Sequence, residues 1–175
     1  MPSSTDSGSI VARRAKPRDV LAISTLCRSA IEEMSMTRGG LLLVGSPEDS
    51  GCLDLDTELT ALSRGLLESD NYQLNYHWFI GIRNETPVGT SFLKIVKMHN
   101  FTVAKVDLLY VEPNSREHGI GGALLQLMTK WATRKSCDGI DISALPGSRE
   151  TKAFLEGQGY KARAISMYKE ISSPS

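Results

Sequence analysis

The sequence predicts an α+β (mixed α/β) fold: a central mixed, mostly antiparallel sheet of six to seven strands flanked by about four helices. Three observations carry that class. Residues 78–83, 88–96 and 103–111 are runs rich in β-branched and aromatic side chains, parted only by turn residues such as Asn84, Pro87 and Asn100, which is the pattern of an antiparallel meander. On either side of the meander, apolar residues recur at spacings of three and four, the period of helices that lay one face on a sheet. A length of 175 residues supplies one compact core and is short for two, so residues 10–171 read as a single domain behind a Ser-rich, flexible N-terminal tail, residues 1–9.

Taken in order, residues 10–15 form a short strand, and Pro17 then falls where a helix tolerates proline, in its first turn. Val20, Ile23, Cys27, Ala30, Ile31 and Met34 line one face of the helix that follows. Residues 36–56 mix Gly39, Gly40, Gly45, Pro47 and Gly51 with an apolar patch at 41–44 and hold no period; they read as a long loop suited to covering a substrate. Leu59, Leu62 and Leu66 mark a second, shorter helix. Beyond the meander, Ile120, Leu124, Leu127, Met128 and Trp131 mark one side of a third helix, after which residues 139–144 return to strand, 149–156 to helix and 160–170 to a last strand.

Composition narrows the function. Hydrophobic residues at 41% and charged residues at 23% are the balance of a folded soluble protein. Lys and Arg (20) cancel Asp and Glu (20), so no net field draws the chain to nucleic acid or to an anionic membrane. Cys27, Cys52 and Cys137 stand far apart with no zinc spacing and read as reduced, buried thiols. The start MPSSTDSGS lacks the basic end and apolar run of a signal peptide, which places the protein in the cytoplasm.

The chemistry concentrates in VEPNSREHGIGGALL, residues 111–125, where a strand ends, a Gly-rich turn follows and a helix opens. A helix N-terminus leaves backbone N–H groups unpaired and carries partial positive charge, which suits a phosphate or pyrophosphate. Gly119, Gly121 and Gly122 remove side chains that block such an approach, and Arg116 adds a charge-assisted donor beside it. Two other phosphate motifs fit poorly: the dinucleotide fingerprint lacks its third glycine, and no lysine stands at a Walker spacing. A tight turn without a ligand is the remaining alternative.

These residues resemble the GCN5-related N-acetyltransferases, the GNAT superfamily. Its coenzyme A signature, Gln or Arg, two residues, Gly, one residue, then Gly or Ala, is matched by Arg116-Glu117-His118-Gly119-Ile120-Gly121. Val111-x-Pro113, Leu124-Leu125 and FLEGQGY at 154–160 are similar as well, and the resemblance runs in element order from about residue 10 to 170, strongest over 103–160. It implies an acetyl-CoA-dependent N-acetyltransferase that passes an acetyl group to a primary amine by direct attack in a ternary complex, with acetyl-CoA (coenzyme A) as co-substrate and no metal. The cofactor-binding set it implies is Leu109, Tyr110, Val111, Arg116, Glu117, His118, Gly119, Ile120, Gly121 and Gly122. Backbone groups of Leu109 and Val111 then pair with the pantetheine arm, amides of His118 to Gly122 hold the pyrophosphate, and an N–H near Leu109 to Val111 polarises the thioester. The expected partner is a small-molecule or peptide amine, with no nucleic acid and no membrane, on a monomer or homodimer.

An alkyl ammonium must lose a proton before it attacks. Many members carry a glutamate on the fourth strand, and on the face shared by Lys105, Asp107, Leu109 and Val111 the one carboxylate is Asp107, the candidate base. The alternative use of Asp107 is an ion pair with a lysine such as Lys105, or a turn cap. The fifth-strand acidic position is Ser143, and the usual tyrosine acid of the last helix is Leu155; Tyr168 is the candidate substitute, with Tyr160 and Tyr110 behind it. Glu112 and Glu117 read as solvated charges, and His77 as a pocket-lining or surface residue. Two other readings stay open: a non-catalytic coenzyme A binding or sensing module, and an acyltransferase using another acyl-CoA or a protein amine.

Overall fold

The computed structural model describes residues 8–37, 55–64, 76–144 and 148–164. Among them the chain forms β1 (Ile10–Arg14), α1 (Val20–Ser35), α2 (Leu55–Ser63), β2 (Tyr76–Arg83), β3 (Thr86–Met98), β4 (Phe101–Val111), α3 (Ile120–Arg134), β5 (Gly139–Ile142) and α4 (Arg149–Gly157). The strands lie side by side in chain order; β1 to β4 are antiparallel, and β5 joins β4 in parallel after the α3 crossover. The mixed, mostly antiparallel sheet is the one the sequence predicts, with five strands among the described residues.

The differences from expectation are local. α2 opens at Leu55, a turn before Leu59, so residues 55–56 belong to a helix and not to the long loop. Residues 160–164 join no helix or strand, and 165–170 lie outside the described residues. Most of the expected covering loop, 38–54, lies outside them too.

Each face of the sheet carries one apolar layer. On the first, Ile23, Leu26, Cys27 and Ala30 of α1 and Leu62 of α2 pack on Trp78, Ile80, Phe92, Leu108 and Tyr110. On the second, Ile120, Leu124, Leu125, Met128 and Trp131 of α3 and Leu155 of α4 pack on Phe79, Leu93, Ala104 and Val106. The entry to α1 is fixed electrostatically: Arg13 grips Asp19 with two hydrogen bonds of 2.6 and 2.8 Å, and Lys16 N–H donates to the same carboxylate at 2.7 Å. That partnership holds the Asp19 carboxyl below its usual range.

Candidate active site

β4 carries the feature on which the site depends. Its register against β3 slips between Phe92 and Leu93, so Leu93 faces Val106 and Phe92 faces Leu108, leaving Asp107 as an extra residue. A bulge of this kind reverses which side chains face which layer. Ala104 and Val106 point to the α3 layer, whereas Leu108 and Tyr110 point to the α1 layer and Leu109 and Val111 pack toward α3. The face expected to join Lys105, Asp107, Leu109 and Val111 is therefore broken at Asp107. The ladder to β5 ends at the same place, with Val106 opposite Ile142.

From Asp107 to Val111, one edge of β4 consequently has no strand beside it among the described residues. Glu112 N–H donates to Val88 O at 2.9 Å. By antiparallel alternation Tyr110 and Leu108 also turn their amide and carbonyl toward β3, while Leu109 and Val111 turn theirs to the open edge. Arg116 Nε takes up one of these groups, donating to Val111 O at 2.9 Å. The N–H and C=O of Leu109 and the N–H of Val111 are left facing outward.

The open edge leads through a short turn at Pro113–Ser115 into the start of α3. The first bond of that helix is Ala123 N–H to Gly119 O, and among the described residues the amides of 117–122 have no acceptor. Its three glycines do different work. Gly119 sits at φ +85°, a left-handed conformation that side chains resist. Gly121 lies under the Phe154 ring of α4, where an added Cβ comes within 3.1 Å, so its missing side chain serves helix packing. Gly122 is the open one, with Gln158 3.9 Å from a notional Cβ. Ile120 seats the helix start on the sheet, filling the space above Gly81 and Gly89.

Arg116 is held from a direction the sequence did not show. Its Nη2 donates to both Glu33 carboxylate oxygens of α1, at 2.7 and 2.6 Å, and its guanidinium lies 5.9 Å from the Tyr110 ring centroid. Much of the guanidinium is thus committed to α1 and β4 instead of standing free beside the glycine turn. Glu117 and His118 are exposed, and His118 Nδ1 contacts Arg116 O at 2.6 Å.

The candidate proton-transfer groups are scattered. The Asp107 side chain is buried between two lysines: Lys94 Nζ is 2.8 Å from Oδ2 and Lys105 Nζ 3.5 Å from Oδ1, and the Oδ2 contact is an ion pair without hydrogen-bond geometry. Ser143 is exposed just past the last β5 residue, and Leu155 is buried in the α3 layer. Tyr168 lies outside the described residues. Burial and the Glu33 carboxylate raise the Tyr110 pKa, and burial raises that of Tyr160, which makes both poorer acids than a free phenol. His77 neither lines this site nor sits on the surface. It is buried edge-on to Trp131, ring centroids 4.6 Å apart, with Arg14 Nη2 3.1 Å from its Nδ1. Among the described residues no group of His, Cys, Asp and Glu is placed to hold a metal, and the Cys27 thiol is pushed up to about 12 by burial.

The model of the Acetyltransferase (GNAT) family matches residues 52–160, and the chain belongs to that family. No curated protein matches the sequence. Among solved structures, the chain is similar to the aminoglycoside acetyltransferase meta-AAC0020 from an uncultured soil metagenomic sample, in complex with sisomicin (15% identity, 93% of this chain and 97% of that one, TM-score 0.64). It is also similar to a mutant of the BH1408 protein from Bacillus halodurans (15%, 93% and 99%, TM-score 0.71). A third is AAC(6')-Iy in complex with a bisubstrate analog, CoA-S-monomethyl-acetylneamine (15%, 94% and 99%, TM-score 0.65). At these identities the likeness is one of fold. No helix of the described residues is long and apolar enough to cross a membrane.

Proposed function

We propose that this protein is an acetyl-CoA-dependent N-acetyltransferase that acylates a primary amine by direct attack within a ternary complex. The observation that carries the reading is the continuity, among the described residues, of two backbone surfaces: the β4 edge from Asp107 to Val111, which has no strand beside it, and the amides of 117–122 at the start of α3, which have no acceptor. The first is shaped to pair with an amide-bearing arm as an added strand does, through the Leu109 N–H and C=O and the Val111 N–H. The second suits a pyrophosphate, by hydrogen bonding and by the helix dipole. The residues present therefore fit coenzyme A, which supplies the acyl thioester. Glu33 positions Arg116, and Arg116 fixes the carbonyl end of β4 against the turn.

In this reading the Leu109 or Val111 amide polarises the thioester carbonyl, a contribution of about 3 kcal/mol where such donors have been removed from other enzymes. One ammonium proton passes to Asp107, the freed amine nitrogen forms a bond to the carbonyl carbon, the carbon–sulfur bond breaks, and the second nitrogen proton goes to the departed sulfur. The departing thiolate has an ordinary pKa near ~8.5 and leaves without a dedicated acid, which accommodates Leu155 at the position where many relatives carry tyrosine.

Leu155 also favours a second reading, a coenzyme A binding module without turnover. Thiol release from acetyl-CoA, measured over a panel of amines, separates the two. Release that requires an amine, and a rate lowered about 100-fold in Asp107→Asn, supports the transferase. Tight cofactor binding with no release for any amine overturns it in favour of the binding module.

A further inference from the structure

The charge around the β4 bulge bears on which amine is acylated. Lys94 and Lys105 are direct cross-strand partners. Like charges directly opposite one another destabilise a sheet, so the pairing calls for a compensating anion. Asp107 supplies one negative charge against two positive ones, and among the described residues no other carboxylate pairs with either ammonium. Among the described residues one positive charge is left over. Both lysines remain partly open, with side-chain exposures of 33% and 41%, whereas Asp107 is at 7%. The excess therefore faces solvent beside the bulge, about two residues, or ~7 Å, along β4 from the Leu109 backbone.

Resting on the acetyl-transfer reading, we infer that the acceptor is an amine that also bears a single carboxylate, held by Lys94 and Lys105 while its nitrogen faces the thioester. A monoanion balances the excess charge; a polycationic amine meets repulsion, and a neutral amine leaves the charge uncompensated. The two ammoniums also disfavour the protonated form of a neighbouring amine, which helps to keep the nucleophile neutral.

The test compares glycine, β-alanine, γ-aminobutyrate, leucine and phenylalanine, each beside its own carboxamide, with spermidine as the polycation and thiol release as readout. At least one amino acid is expected to exceed its carboxamide at least tenfold in kcat/KM. Lys105→Met keeps the closer Lys94–Asp107 pair and removes the excess charge. It is expected to raise KM for that amino acid at least tenfold and to erase its preference over the carboxamide, with the KM for acetyl-CoA unchanged, and Lys105→Arg is expected to restore the preference. Preference for spermidine or for a carboxamide over its acid, or an equal effect of Lys105→Met on both, overturns this inference and leaves the acetyl-transfer reading standing. Turnover of no amine by a protein that still binds acetyl-CoA overturns that reading and this inference with it.

Discussion

At His77 burial against Trp131, together with the Arg14 and Lys135 charges, pulls the imidazole pKa down to about 3. The folded protein keeps this ring neutral, whereas an unfolded chain protonates it below about 6.5. The stability that the neutral ring contributes is complete above about pH 6.5 and is lost as pH falls toward 3, at up to about 1.4 kcal/mol per pH unit. Urea unfolding of the parent and of His77→Gln between pH 7.5 and 4.5 is expected to show that slope in the parent alone; parallel curves would mean that the ring is not held neutral. Asp107→Asn makes a second expectation: the alkaline rise of rate with pH flattens while acetyl-CoA binding stays within about twofold, because the carboxylate takes the proton and does not grip the cofactor. An unchanged pH profile removes Asp107 from the mechanism. The surroundings of Asp107 were legible in part: the ion pair with Lys105, two positions away on its own strand, was readable as an alternative, but Lys94 meets it only through a register, and His77 is buried by partners 63 and 54 positions away in the chain.

The helices were legible where their partners are simple. Ile120, Leu124, Leu127, Met128 and Trp131 declare the α3 face by spacing alone, and all are buried or half-buried there. β4 was legible as a strand but not in its facing, because a bulge depends on how β3 pairs with it and not on the alternation of β4 itself. The link from Arg116 to Glu33 spans 83 positions and left no local mark. The glycines of β2 and β3 gain their meaning from α3. A Cβ at Gly81 falls 2.6 Å from Ile120 Cγ2, so Gly81→Ala forces the first turn of α3 off the sheet. The expected cost is about 1–3 kcal/mol of stability, read from the urea midpoint, with a weaker grip on acetyl-CoA as a second effect. A variant as stable as the parent would show that the α3 start is not seated on these glycines.

Among the described residues, a sheet that ends one of its ladders early is joined to a helix that begins with unpaired amides. The order of elements from β1 to α4 and the mixed sheet were readable from periodicity, since each follows from local patterns of two, three and four residues. The early end of the β4–β5 ladder was not, because it is a property of two strands and a bulge together. Gly122 offers a direct trial of the whole arrangement. It is the third helical position, has room for a side chain, and accepts glutamate in a place where the helix dipole favours a carboxylate. Gly122→Glu is therefore expected to unfold no earlier than the parent, while its carboxylate occupies the ground a pyrophosphate needs. Calorimetric titration of both proteins with acetyl-CoA and with free coenzyme A is the measurement to make first. The expected result is binding of both ligands by the parent and at least a tenfold loss, about 1.4 kcal/mol, in an equally stable variant. Equal binding by the two proteins, or none by the parent, would contradict a coenzyme A site at the start of α3.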